Sequence, residues 1–125
     1  MRAVLLAFLV SGLCAAPSMA GEADVVDVVA TPEAGGTWRF DVTVRHDDEG
    51  WDHYADAWEI RGADGTVYGT RTLLHPHENE QPFTRSLGGV AIPEGVDAVE
   101  IAAHDSVHAF GGRTMRVTLR ETAGD

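Results

Sequence analysis

Six histidines, His46, His53, His75, His77, His104 and His108, are the residues of this 125-residue chain whose type best suits chemistry. Neutral imidazole is a common ligand for zinc and copper, and three or four donors at about 2 Å from one ion make a site. The tripeptide His75-Pro76-His77 fits that demand. A residue before proline is held extended, and side chains at i and i+2 of an extended segment point the same way. His104 and His108 bracket a short stretch that contains Asp105, which would serve as an oxygen ligand or would orient an imidazole. Asp47, Asp48, Asp52, Glu78 and Glu80 add negative potential nearby. His75, His77, His104 and His108 are therefore the first choices for a Zn(II) or Cu(II) site, with His53 and His46 in reserve. Past residue 20 the only methionine is Met115, so a thioether Cu(I) site is not expected. Two plainer readings stand beside this one. His-Pro-His in a loop is commonly bare surface, and His46 continues the alternation of Phe40, Val42 and Val44, as a hydrogen-bonded histidine at a core edge would.

Other polar residues fall on the inward phase of the same alternation. Asp56 shares the phase of Tyr54, Trp58 and Ile60, Arg85 that of Phe83 and Leu87, and Asp105 that of Val99, Ile101 and Ala103. A buried charge needs a partner, which predicts an Arg85–Asp56 or Arg85–Asp105 ion pair. Its simplest role is to fix one strand against the opposite sheet; the same carboxylates would also orient His46 or His104. Trp51 and Tyr54 lie beside the histidines on a predicted loop and offer a platform for a protein or glycan partner, or else a lid over the core. Ser106 sits among His104, Asp105 and His108, but no glycine-framed nucleophile or oxyanion loop accompanies it, so no enzymatic activity is expected.

The elements that must position these residues are short alternating segments bounded by Gly, Pro and Asp. Seven strands are predicted: Asp24–Ala30, Trp38–Asp47, Tyr54–Arg61, Thr66–Leu74, Pro82–Leu87, Ala98–His104 and Thr114–Arg120. Ala63-Asp64-Gly65-Thr66 reads as a hairpin turn, with Asp64-Gly65 at the positive-φ positions. Seven short strands in one domain of about 100 residues predict an all-β, antiparallel sandwich of immunoglobulin or fibronectin type III kind, with Trp58 in the core. Consecutive antiparallel strands put the second–third, fourth–fifth and sixth–seventh connections at one pole. All six histidines then fall at that pole.

The stretches Gly50-Trp51-Asp52-His53-Tyr54, His75-Pro76-His77, Gln81-Pro82-Phe83-Thr84-Arg85-Ser86-Leu87 and His104-Asp105-Ser106-Val107-His108 resemble small exported bacterial β-sandwich proteins of no assigned activity. That resemblance covers most of the chain after residue 20 and implies a fold and export, but no function.

The chain ends and the charge bound the rest. Arg2, the apolar run from Ala3 to Val10 continuing through Leu13 to Ala16, Pro17, and Ser18-Met19-Ala20 together read as a secretory signal peptide over residues 1–20. The run is too short for a stop-transfer helix, so no stable membrane insertion is expected. Cys14, the only cysteine, follows Leu13 where a lipid-attachment motif wants a small residue. The remaining domain, 21–125, has no thiol, which excludes thiolate metal sites and cysteine nucleophiles. A periplasmic or secreted location follows. With a formal net charge of -11, the protein lacks the positive footprint that nucleic acid or an anionic membrane requires. The two readings are thus a divalent-metal-binding protein, or a metal-independent module for a protein or glycan.

Overall fold

A computed structural model describes residues 21–120; the leader expected over 1–20 and the last five residues of the expected domain lie outside the described residues. Seven strands account for nearly all regular structure: β1 (Asp24–Pro32), β2 (Thr37–Arg45), β3 (Ala55–Arg61), β4 (Val67–Thr72), β5 (Phe83–Ala91), β6 (Ala98–Asp105) and β7 (Met115–Thr118). They form two antiparallel sheets, one in the order β1-β2-β5 and the other in the order β4-β3-β6-β7. Both sheets contribute to one core that contains Val25, Phe40, Val42, Val44, Trp58, Ile60, Phe83, Val99 and Ile101. Period-two alternation is the cause. Phe40, Val42 and Val44 are fully buried while Arg39, Asp41, Thr43 and Arg45 between them are not. Each such side chain contributes roughly 1.5–3 kcal/mol by leaving water.

Every expected strand is present, and the differences lie at ends, turns and bulges. β5 runs on to Ala91 through Gly88-Gly89, because the pairing with β2 shifts register between Trp38 and Phe40 and absorbs the glycines. At the β3–β4 turn only Gly65 takes a positive φ (91°), not Asp64-Gly65 together. Gly62 and Thr66 close that turn (N–H to O 2.8 Å) and Asp64 accepts the Thr66 N–H, so the loop is longer than a two-residue hairpin.

Two inward charges expected from the alternation are corrected. A register shift between Ala55 and Ala57 changes the phase of β3, so Ala55 is buried with Trp58 and Ile60, whereas Tyr54 and Asp56 stay partly exposed. Arg85 does face inward, paired in register with Val42, but β5 is an edge strand. Its guanidinium escapes over that edge to Glu80 (3.1 Å) rather than pairing with Asp56 or Asp105. The bridge between sheets is made instead by Arg71, whose Nη1 donates to the Ser86 carbonyl at 2.6 Å.

Candidate metal centre

The β2–β3, β4–β5 and β6–β7 connections meet at one end, and Asp48 is the knot between the first two. Its Oδ1 accepts from His46 Nδ1 (2.6 Å) and the Ala55 N–H (3.0 Å), while Oδ2 accepts the His77 N–H (2.6 Å). Gln81 adds a second tie, accepting the His46 N–H at 2.9 Å and donating to the His77 carbonyl at 3.0 Å. Tight turns set the remaining positions. Gly50, at φ 83°, closes the turn in which the Glu49 N–H donates to the His53 carbonyl (2.7 Å) and the His53 N–H to the Gly50 carbonyl (3.3 Å), and this brings the Glu49 and His53 side chains together. Asp105 caps the β6–β7 turn, Oδ1 accepting the N–H groups of Val107 (2.9 Å) and His108 (2.7 Å). Ala109 in that turn holds a left-handed φ of 59°, unusual for a residue with a side chain.

These turns deliver three ligand atoms to one place. Among the described residues, His46, His53 and Asp105 form a buried group whose ligand atoms all lie within 4.8 Å of one another. His46 Nε2 stands 3.3 Å from His53 Nε2, which stands 3.3 Å from Asp105 Oδ1. Four donors bound tetrahedrally at about 2.0–2.2 Å are themselves roughly 3.3–3.6 Å apart, so both separations would suit a coordination shell as well as a hydrogen-bonded contact.

Protonation makes the arrangement more specific. Burial pushes the Asp48 carboxyl up, but the His46 ring and the N–H groups of His77 and Ala55 outweigh this and hold it below the usual carboxylate range. Asp48 is therefore an ionised acceptor, and His46 Nδ1 must carry the proton between them. His53 Nδ1 is likewise directed at Glu49 Oε1, 3.1 Å away. With each Nδ1 directed at a carboxylate, the two Nε2 atoms face one another and would present lone pairs wherever they carry no proton. Asp105 adds a carboxylate, lowered in pKa by the His108 and Val107 N–H groups and the nearby histidines although burial opposes the charge. Its Oδ2 is buried with no partner among the described residues. Acceptors that converge in this way need a cation between them, either a proton or a metal. For a proton, His46 is the receptive ring, since burial disfavours its charge but the Asp48 carboxylate and the field of Asp105 raise its pKa overall.

The other expected ligands are placed differently. His108 is close: its Nδ1 lies 3.3 Å from Asp105 Oδ1 and its ring is 4.9 Å from that of His53, on the solvent side of the group. His104 turns to the outer face, where Nδ1 meets Asp56 Oδ1 at 2.5 Å and the ring meets Phe110 edge-on. His75 is exposed and its Nδ1 faces its own Pro76 carbonyl at 3.1 Å. His77 is buried, stacked on Phe83 at 4.0 Å, with neither ring nitrogen hydrogen-bonded among the described residues. The two reserve histidines thus stand at the centre with Asp105, and three of the four first choices do not converge with them. Asp48 and Glu49, which orient both rings, carry only a weak signal in sequence: a carboxylate two residues after His46 and one four before His53. Trp51 is 66% exposed and meets Tyr54 edge-on at 5.5 Å, so it is a surface aromatic rather than a lid over the core.

The chain is similar to a protein of Halomicrobium mukohataei described as a "Putative lipoprotein", 44% identical over 102 residues. The match covers 82% of this chain and 50% of that protein, so the chain spans about half the length of the curated relative it matches. No family model matches the chain, and no solved structure matches it significantly.

Proposed function

We propose that the protein is an exported β-sandwich domain that binds a divalent metal ion, Zn(II) or Cu(II), between His46, His53 and Asp105, with His108 at the solvent face. The observation that carries this reading is the pair of Nε2 atoms 3.3 Å apart, each on a ring whose Nδ1 is held by a carboxylate. Carboxylate–histidine–metal relays fix the tautomer and ring direction in this manner. The mixed nitrogen and oxygen donors suit Zn(II) or Cu(II) better than Cu(I). Export is supported by the leader-like composition of residues 1–20 and by the description of the relative. The partition of β1, β2 and β5 against β4, β3, β6 and β7 supports reading the two sheets as a fibronectin type III-like sandwich. Thermal unfolding of chelator-stripped protein with added Zn(II) or Cu(II) tests the reading. At about 100 times the dissociation constant, a ligand of the native state adds about 2.7 kcal/mol. For a domain of this size that raises Tm by roughly 10 °C or more. The shift should vanish in His46→Ala with His53→Ala and survive in His75→Ala with His77→Ala. Equal shifts in both double variants would sink the assignment.

Trp51 favours a second reading, a module for a protein or glycan that binds through the same loops. Its exposed indole beside Tyr54 is the type of anchor such contacts use. Metal-independent capture of a partner, lost in Trp51→Ala, would establish it.

A further inference from the structure

We propose that the carbonyl oxygen of Gly21 is a fourth donor to the cation held by His46, His53 and Asp105, so that the metal fastens the place where the chain enters the domain to the loop pole. The inference rests on the metal-centre reading and extends it from side chains to the backbone. Gly21 O lies 3.0 Å from His46 Nε2, on the same ring nitrogen that faces His53 Nε2 at 3.3 Å. In the metal-free protein a protonated His46 Nε2 donates to this carbonyl; with a metal on Nε2 that proton is gone, and the Gly21 oxygen faces the cation instead. A carbonyl oxygen is an ordinary hard donor, and 3.0 Å is close to the edge expected between two ligands of one small cation. Residue 21 has no side chain to keep its backbone from the ring.

The neighbouring backbone holds this donor in reach. Val25 N–H donates to the Arg113 carbonyl (2.8 Å), and Arg113 N–H donates to Asp24 Oδ1 (2.7 Å). The start of β1 is thereby pinned to the β6–β7 loop, the loop that also carries His108. His108 is the less suited fourth donor, because its Nδ1 already faces Asp105 Oδ1 and its ring is the more exposed. A filled centre would therefore close a ring of contacts through β1, the β2–β3 loop and the β6–β7 loop.

Carbon-13 and nitrogen-15 labelled full chain, titrated with Zn(II) and followed by NMR, tests this directly. The Gly21 carbonyl carbon should shift in step with Zn(II) uptake, and amide exchange at Glu22 and Ala23 should slow. The carbonyls of Gly35 and Gly36, in the turn after β1 at the other pole, should not move. His53→Ala should abolish uptake and the Gly21 shift together. If Zn(II) is taken up, is lost in His53→Ala, and leaves the Gly21 carbonyl and the two amides unchanged, Gly21 is not a ligand and the three-residue centre stands without it. If folded protein takes up no Zn(II), the metal centre itself fails and this inference falls with it.

Discussion

Asp48 is the residue on which the pole depends most. Its side chain is wholly buried, and its two oxygens serve one imidazole and two backbone N–H groups, those of Ala55 at the start of β3 and His77 in the β4–β5 connection. Asp48→Asn keeps the size but turns an acceptor into a donor amide that must face an N–H group. Removing such an orienting partner typically weakens metal binding by about 10–100-fold. Leaving a buried donor unsatisfied costs about 1–3 kcal/mol besides. A metal titration and a denaturant melt on Asp48→Asn should therefore both show losses. A variant that keeps its full Zn(II) affinity but melts earlier would reduce Asp48 to a purely structural tie. Glu49 holds its ring from an exposed position, so Glu49→Gln should produce a smaller effect on both.

At the scale of elements, the bulge in β3 and the turn glycines decide what the pole can present. Without the shift between Ala55 and Ala57, Asp56 would enter the core and meet no partner there; with it, Asp56 pairs with His104 outside. The β6–β7 loop depends on Gly112 in another way. A Cβ at that position would fall within clashing distance of the Ala23 carbonyl and carbon, which are backbone atoms and cannot rotate aside. Gly112→Ala should therefore force the loop away from the start of β1, at about 1–3 kcal/mol as for other overpacked sites. Equilibrium unfolding measures the cost. An unchanged midpoint would mean that loop and strand do not press together in solution.

Across the whole molecule, histidines with opposite shifts govern how stability responds to pH. Burial, Arg85 and His75 lower the His77 pKa below its ordinary 6.5. A depressed histidine contributes stability that is complete above 6.5 and is lost as pH falls below it, because the unfolded chain takes up the proton first. His46, raised above 6.5, does the reverse: its contribution is complete below 6.5 and is lost as pH rises through its higher folded value. Acid loss between neutrality and pH about 5 should therefore shrink in His77→Phe. That change keeps the stacking on Phe83 and removes two unpartnered ring nitrogens. Melting temperatures of the metal-free protein taken across this range decide the point. A parallel pH dependence in wild type and His77→Phe would show that His77 titrates normally.

The order and number of the strands were legible in the sequence because alternation reports directly on which face meets water. Phe40-Val42-Val44 and Val99-Ile101-Ala103 leave little freedom, since slipping a strand by one residue would expose every one of these side chains. From that order followed the gathering of histidines at one pole. Which histidines converge was not legible. Ring direction depends on a one-residue bulge, a left-handed glycine and buried carboxylates that tie one loop to another, none of which has a period. His75-Pro76-His77 carries the stronger local signal, yet the stacking of His77 on Phe83 turns its ring into a neighbouring pocket of core. His46 and His53 carry the weaker one and meet, because Asp48 and Glu49 hold their rings. The sequence by itself determined the strands, the charge and the pole; only the tertiary structure decided the centre, since it is made of contacts between loops far apart in the chain.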